Sequence, residues 1–198
     1  MPKLDSRQYR TINFALPDSN KKNKFNSDYY VEGYATTFEP YVLYDDGNEK
    51  IYESFSKECF KNCDMSDIIF QFDHAGKVFA RLSNNTLSVE ADENGLFVCA
   101  DLSKSEASRA MYEEIKNGLV TRMSWGFMPG EYHYNKETKT IIHTSVRKIF
   151  DVSAVSIPAN DDTTIQARKF ADGVIEGLMQ ELQKREKHKK LIKLLMEV

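Results

Sequence analysis

Residues 87–102 read LSVEADENGLFVCADL. Leu87, Val89 and Ala91 alternate with Ser88 and Glu90, the two-residue period of a half-buried strand. Asn94-Gly95 then supplies the residue types of a tight turn. Leu96 to Leu102 resumes as a second strand. The stretch therefore predicts a β-hairpin. Just beyond it, Ser103 and Glu106 stand at capping-box spacing. They predict a helix with Ala107, Ala110, Met111 and Ile115 on one face, closed by Gly118.

The same punctuation continues upstream. Tyr9 to Ala15 alternates as a strand would, and polar Pro17 to Ser27, with Lys21, Lys22 and Lys24, predicts a solvated loop. Tyr29 to Phe38 predicts a second strand, with Gly33 as a bulge or close-approach site. Val42 to Tyr44 and Lys50 to Tyr52 flank Asp46-Gly47, a hairpin signal. Ser54 to Cys63 predicts a short helix. Ile68 to His74, IIFQFDH, is a nearly continuous apolar strand ending on histidine.

Downstream, Leu119 to Phe127 predicts a strand broken by Pro129-Gly130. Glu131 to Tyr134 and Thr140 to Val146 flank the polar turn NKETK as a hairpin, and Phe150 to Ile157 predicts a last strand stopped by Pro158. Short strands joined by turns around one marked helix predict a mainly β fold with helices (α+β). An antiparallel barrel or sandwich fits this order better than an alternating β/α sheet. After Arg168 the pattern changes. Val174, Leu178 and Leu182, then Leu191, Leu194, Leu195 and Val198, form an amphipathic helix around the charged stretch KREKHKK. This divides the chain into a β domain, 1–168, and a helical appendage, 169–198.

Bulk composition narrows the function classes. The chain has 198 residues, 41% hydrophobic and 29% charged, which suits one domain with an appended element. Ten Tyr and twelve Phe fit pleated surfaces. A net charge of −3 lacks the basic excess of a nucleic-acid binder. No apolar run reaches the ~20 residues of a spanning helix, and MPKLDSRQYR lacks the apolar segment of a secretion signal. The expectation is a soluble intracellular protein without a membrane or nucleic-acid partner. Cys59, Cys63 and Cys99 are odd in number and fit no disulfide framework, so reduced thiols are expected. Cys59 and Cys63, four apart, could share a helix face.

Four residues bear on chemistry. His74 ends an apolar strand where the chain turns to a loop, and such positions face clefts. Histidine is the commonest general base, although a structural role competes with this reading. Ser124 lies in MSWGF, and Gly126 clears the same strand face, which would let a substrate backbone approach the hydroxyl. A small-residue packing site is the alternative, since a nucleophile is recognised by its surroundings in space. Asp151, in FDVSAVSIPAN, is an acid inside an apolar strand, costly unless partnered. A histidine could be that partner, as could an arginine or the backbone. His143, with His133, sits in the predicted hairpin of residues 131–146 and His188 in the lysine-rich helix, as rim or solvated residues. Cys63, His74, His133 and His143 lack the paired spacings of zinc sites. With no P-loop and no GxGxxG, no cofactor is expected.

Three segments taken in order, IIFQFDHAGKVFARL, VTRMSWGF and FDVSAVSIPAN, resemble the prohead (capsid maturation) serine proteases of tailed phages, relatives of the herpesvirus assemblins. YVEGYATTFEP resembles the opening strand of that family. The resemblance covers about residues 28–168. Two details depart from the family pattern: Ala75 follows the histidine while Asp73 precedes it, and Ala80 stands before Arg81.

The resemblance implies a compact β-barrel decorated by helices. It implies His74 as general base, Ser124 as nucleophile and Asp151 as third member, with His143 in view because assemblins use a second histidine. It further implies an endopeptidase acting on phage scaffold and major capsid proteins, and on itself, inside the assembling procapsid in the host bacterial cytoplasm. The terminal helix is expected to be an interaction segment, dispensable for catalysis, that folds back on the barrel, pairs with another copy or docks on scaffold protein. The rival expectation is a catalytically silent assembly or scaffold protein with the same barrel.

Overall fold

The computed structural model describes residues 7–13, 24–45 and 50–156. The terminal helix expected over 169–198, His188, Pro158 and the Asp46-Gly47 turn lie outside the described residues, as does most of the loop at 17–27.

Among the described residues, twelve strands and one α-helix occur in the order β1 (Gln8–Asn13), β2 (Tyr30–Thr37), β3 (Tyr41–Asp45), β4 (Lys50–Phe55), β5 (Ile69–Phe72), β6 (Val78–Arg81), β7 (Leu87–Ala91), β8 (Gly95–Asp101), α1 (Glu106–Lys116), β9 (Arg122–Pro129), β10 (Tyr132–Asn135), β11 (Thr140–His143) and β12 (Val146–Val155). They form three sheets, ordered β1-β9-β12-β5-β6, β10-β11-β4-β3 and β2-β8-β7. The mainly β reading holds. No closed barrel is found among the described residues, and the pairing is not purely antiparallel. β12 runs parallel to β5, and β11 runs parallel to β4. Parallel neighbours need a crossover rather than a hairpin, so turn signals alone could not reveal them.

The predicted hairpins form where turn chemistry marked them. β7 pairs with β8, β3 with β4 and β10 with β11, all antiparallel. Gly33 pairs regularly with Val98, and the β2 irregularity falls between Tyr34 and Thr36. The close approach lies at Gly95, where a Cβ would sit 2.8 Å from Thr37 Cα.

Two helix expectations change. Ser54 and Phe55 complete β4, because Phe55 is in register with His143 of β11. The chain then makes successive tight turns, with Cys59 N donating to Ser56 O at 3.0 Å and Cys63 N to Phe60 O at 3.1 Å. Cys59 and Cys63 therefore share no helix face. Helix α1 begins two residues later than its capping-box signal. Ser103 N is held by Asp101 Oδ1 at 3.0 Å, so the chain is still turning there. Ser105 is the N-cap, accepting from Ser108 N at 3.0 Å. The helix buries Ser108, Met111 and Ile115, whereas Ala110 is exposed. It ends at Gly118, whose φ of 73° is the left-handed conformation that glycine supplies without a Cβ penalty. Gly118 N then donates to Ile115 O and Leu119 N to Glu114 O.

One apolar cluster joins all three sheets to α1. It includes Val31, Phe55, Phe70, Leu87, Leu96, Met111, Trp125, Phe127 and Val152. Each such side chain contributes roughly 1.5–3 kcal/mol by leaving water. Trp125 and Phe127, on the core face of β9, stack at 4.1 Å between centroids. Phe55 packs edge-on against both, which fastens the four-stranded sheet to the five-stranded one.

A buried polar cluster bridges the same two sheets. Fully buried Glu53 accepts from Arg10 Nη2 at 2.6 Å, and His143 Nε2 lies 2.9 Å from its Oε1. Tyr41 and Arg10 Nε also donate to it. Burial opposes ionising Glu53, but Arg10 and the His143 hydrogen bond outweigh it and hold its pKa below the usual carboxylate range. Glu53→Ala would leave the Arg10 guanidinium buried without its counter-charge. The expected loss is about 3–5 kcal/mol, measured by urea unfolding. An unchanged midpoint would show that the cluster does not stabilise the fold.

Candidate active site

Strand alternation on β9 sorts the MSWGF segment. Met123, Trp125 and Phe127 enter the core, each at most 1% exposed. Ser124 and Gly126 take the opposite face. On the neighbouring strand Ser153 stands across from Ser124, and Asp151 across from Gly126. β5 on the far side places Ile69 beside Asp151 and Gln71 beside Ser153.

Asp151 reaches this face through an irregularity. Ile149 pairs with Phe127 and Asp151 with Gly126, so Phe150 is the extra residue of a bulge. Ile149 and Asp151 are two apart and would ordinarily share a face. The bulge reverses that, leaving Ile149 in the core and Asp151 beside Ser124.

His74 is placed by the turn after β5. Asp73 and His74 have φ angles of 45° and 58°, a left-handed pair that costs of order 1–3 kcal/mol per residue. Long-range bonds hold the turn. Asp73 N donates to Ala154 O at 3.0 Å, and His74 N to Ser153 Oγ at 3.2 Å. The Asp73 carboxylate accepts from Ser156 N at 3.0 Å and from Ser156 Oγ at 2.9 Å. Asp73, the departure before the histidine, thus ties the turn to the end of β12.

The three sequence-predicted residues meet. His74 Nε2 lies 2.7 Å from Ser124 Oγ, and His74 Nδ1 lies 2.6 Å from Asp151 Oδ2. In the tautomer that satisfies both, Nδ1–H donates to Asp151 and Nε2 accepts from the Ser124 hydroxyl. Ser124 and Asp151 are buried, at 1% and 0% exposed. The imidazole is 16% exposed. Burial pushes the His74 pKa down to about 4, with the Arg7 guanidinium second and Asp73 opposing. The ring is therefore neutral at pH 7 and available as a base. Such a set can activate the serine hydroxyl for attack on a carbonyl.

Sequence reasoning missed four supporting residues. Ser153 Oγ donates to Asp151 Oδ2 at 2.7 Å, and Gln71 Nε2 donates to the same oxygen at 3.1 Å. The Tyr9 ring packs on the imidazole, 4.2 Å between centroids. The Arg7 guanidinium pairs with Asp151 Oδ1. Gln71 had a signal, being polar within IIFQFDH; Arg7 had none. The arginine partner considered for Asp151 and the histidine partner are both present, one on each carboxylate oxygen.

Two other readings change. The space left by Gly126 is not open for a substrate backbone. A Cβ there would collide with Asp151 Oδ1 and sit 2.8 Å from Arg7 Nε. The missing side chain makes room for the carboxylate and its arginine. His143 is fully buried and engages Glu53, with its ring stacked on Phe55 at 4.7 Å. It is a core residue rather than a rim residue, and Asp151 occupies the position beside His74 Nδ1. His133 is exposed on β10. Cys59, Cys63 and Cys99 are free thiols, and burial pushes Cys59 up to about 12. No group of three His, Cys, Asp or Glu side chains that could hold a metal occurs among the described residues. No described helix is long and apolar enough to cross a membrane.

A serine, a histidine and a carboxylate in hydrogen-bonded series is the arrangement of triad hydrolases. Residues 18–174 match the family described as caudovirus prohead serine protease, and the chain belongs to that family. The prohead protease of Escherichia phage T5 is 26% identical over 106 residues, covering 54% of this chain and 47% of that protein. The chain thus spans about half the length of the curated relative it matches. No solved structure matches it.

The tight fit at Gly126 gives a direct test. Gly126→Ala is expected to displace the Arg7–Asp151 pair and lower kcat/KM on the order of 10²-fold, the effect of misplacing a reacting group by about 1 Å. Steady-state peptide cleavage by the folded variant measures this. Unchanged kcat/KM would show that the carboxylate does not need that space.

Proposed function

We propose that this chain is a serine endopeptidase of procapsid maturation, with Ser124 as nucleophile, His74 as general base and Asp151 as the residue that orients it. The observation carrying this reading is the unbroken series of contacts from Ser124 Oγ through both imidazole nitrogens to Asp151, at 2.7 and 2.6 Å. Family membership supplies the class of reaction.

As Ser124 Oγ attacks the scissile carbonyl carbon, His74 Nε2 takes its proton. Asp151 stabilises the imidazolium that forms. The tetrahedral oxyanion is met by backbone N–H donors, which we place near β12. Collapse breaks the C–N bond, and the imidazolium proton passes to the departing amine. Water then attacks the acyl-enzyme, giving its proton to His74. The second tetrahedral species releases the carboxyl product and returns the proton to Ser124. The chemistry needs no metal or cofactor.

The substrates in this reading are scaffold and major capsid segments and the chain itself, cleaved inside the assembling procapsid in the host cytoplasm. Residues 169–198 serve self-association. The test is a serine-reactive fluorophosphonate together with unfolded capsid or scaffold protein. Labelling at Ser124 and cleavage are expected. Absence of both would favour the silent scaffold protein.

A further inference from the structure

Arg7 lies just before β1, outside residues 18–174 that match the family. Its guanidinium pairs with Asp151 Oδ1, the carboxylate oxygen that His74 does not use. Its Cζ lies 4.6 Å from the Phe150 ring centroid and 5.2 Å from that of Tyr9. Such contacts hold a cation over aromatic faces. Phe150 is the bulge residue that turns Asp151 toward the site, and Tyr9 is the residue packed on His74. Gly126 leaves the space that Arg7 and Asp151 fill. Arg7 is thus lodged among the elements that set the positions of Asp151 and His74.

We infer that Arg7 is a positioning residue for this site, holding the Asp151 carboxylate ionised with Oδ2 toward His74 and keeping the imidazole in its neutral form. The inference rests on the serine peptidase reading above. A carboxylate with both oxygens engaged cannot swing about its Cβ–Cγ bond. Gln71 and Ser153 secure Oδ2, and Arg7 secures Oδ1. The positive charge also offsets the attraction of Asp151 for a proton on His74. Other groups also face the ring. Asp73 is engaged by Ser156, and Ser124, Ser153 and Tyr9 bring hydroxyl-bearing side chains to the ring. Lys148, 5.8 Å from the Phe150 ring, is paired with Asp64.

Removing Arg7 leaves the charge of Asp151 unshared beside His74 and favours the imidazolium. The titration midpoint of His74 should rise, and with it the acid limb of kcat/KM. A charge within about 4–6 Å of a titrating group moves its midpoint by about one unit or more. A merely structural residue would change stability and leave the midpoint in place.

The experiment compares the full chain with Arg7→Gln, Arg7→Met and Arg7→Lys. Arg7 is 32% exposed, so its replacement need not disrupt the core. Arg7→Met retains an apolar stem against both rings if the glutamine variant fails to fold. His74 is titrated by imidazole NMR, and kcat/KM is followed against pH with a peptide substrate. In the neutral variants both midpoints are expected to rise by about one pH unit or more, with kcat also reduced. Arg7→Lys should restore most of the midpoint. An unchanged His74 midpoint in a folded neutral variant would overturn the inference. So would a rise in activity, which would make the arginine an inhibitory contact. Fluorophosphonate labelling of the parent is scored separately. An unlabelled, inactive parent counts against the peptidase reading, while the NMR midpoints still decide whether Arg7 sets the state of His74.

Discussion

Ser124→Ala is expected to eliminate cleavage of unfolded capsid or scaffold protein while leaving the fold intact. The substitution removes one oxygen from a buried site and leaves Cβ on the β9 backbone, so Trp125 and Phe127 keep their packing. The lost oxygen lies 2.7 Å from His74 Nε2, the nitrogen that would take its proton. Removing a triad nucleophile costs on the order of a million-fold in turnover. Purified variant and parent, matched by circular dichroism and thermal midpoint, would be compared on one substrate. Equal cleavage would end the assignment of Ser124.

Asp151→Asn is expected to reduce turnover roughly 10⁴-fold, the loss seen when a triad carboxylate becomes an amide. Two consequences combine. An amide N–H₂ directed at His74 Nδ1 favours the tautomer with the proton on Nε2, where it cannot accept from Ser124. The neutral amide also fails to stabilise the imidazolium. His143→Ala is the matched comparison. His143 contacts Glu53 and stacks on Phe55, so its loss should lower the unfolding midpoint. Turnover per folded molecule should stay near that of the parent. If His143→Ala proved the more damaging to turnover, the site would follow the two-histidine assemblin pattern and Asp151 would be structural.

The folding elements written into local sequence were legible. Alternation marked β7 and β8, Asn94-Gly95 marked the turn between them, and Gly118 marked the end of α1. These are choices of backbone state within a few residues, and side-chain size, branching and φ preference decide them there. Misreadings arose where a distant partner overruled a local preference. Ser54 and Phe55 carried no strong strand signal, yet β11 holds them in β4. Ser103 had capping-box spacing, but Asp101 had already engaged its amide, and the cap moved to Ser105.

The candidate site divides in the same way. His74, Ser124 and Asp151 could be named from three short segments and their resemblance to a family. By itself the sequence determined their chemical types, the strand alternation that puts Ser124 opposite Trp125, and the acid in an otherwise apolar last strand. Only the tertiary structure decided that Asp151 faces Ser124, because the face depends on a bulge at Phe150 that exists only once β12 is paired with β9. It alone brought His74 to Asp151, through a parallel pairing of strands far apart in sequence. It alone placed Arg7 on the second carboxylate oxygen, in space that Gly126 leaves free. Register, parallel order and charge partners are settled by which surfaces pack together, and no window of a few residues contains that information.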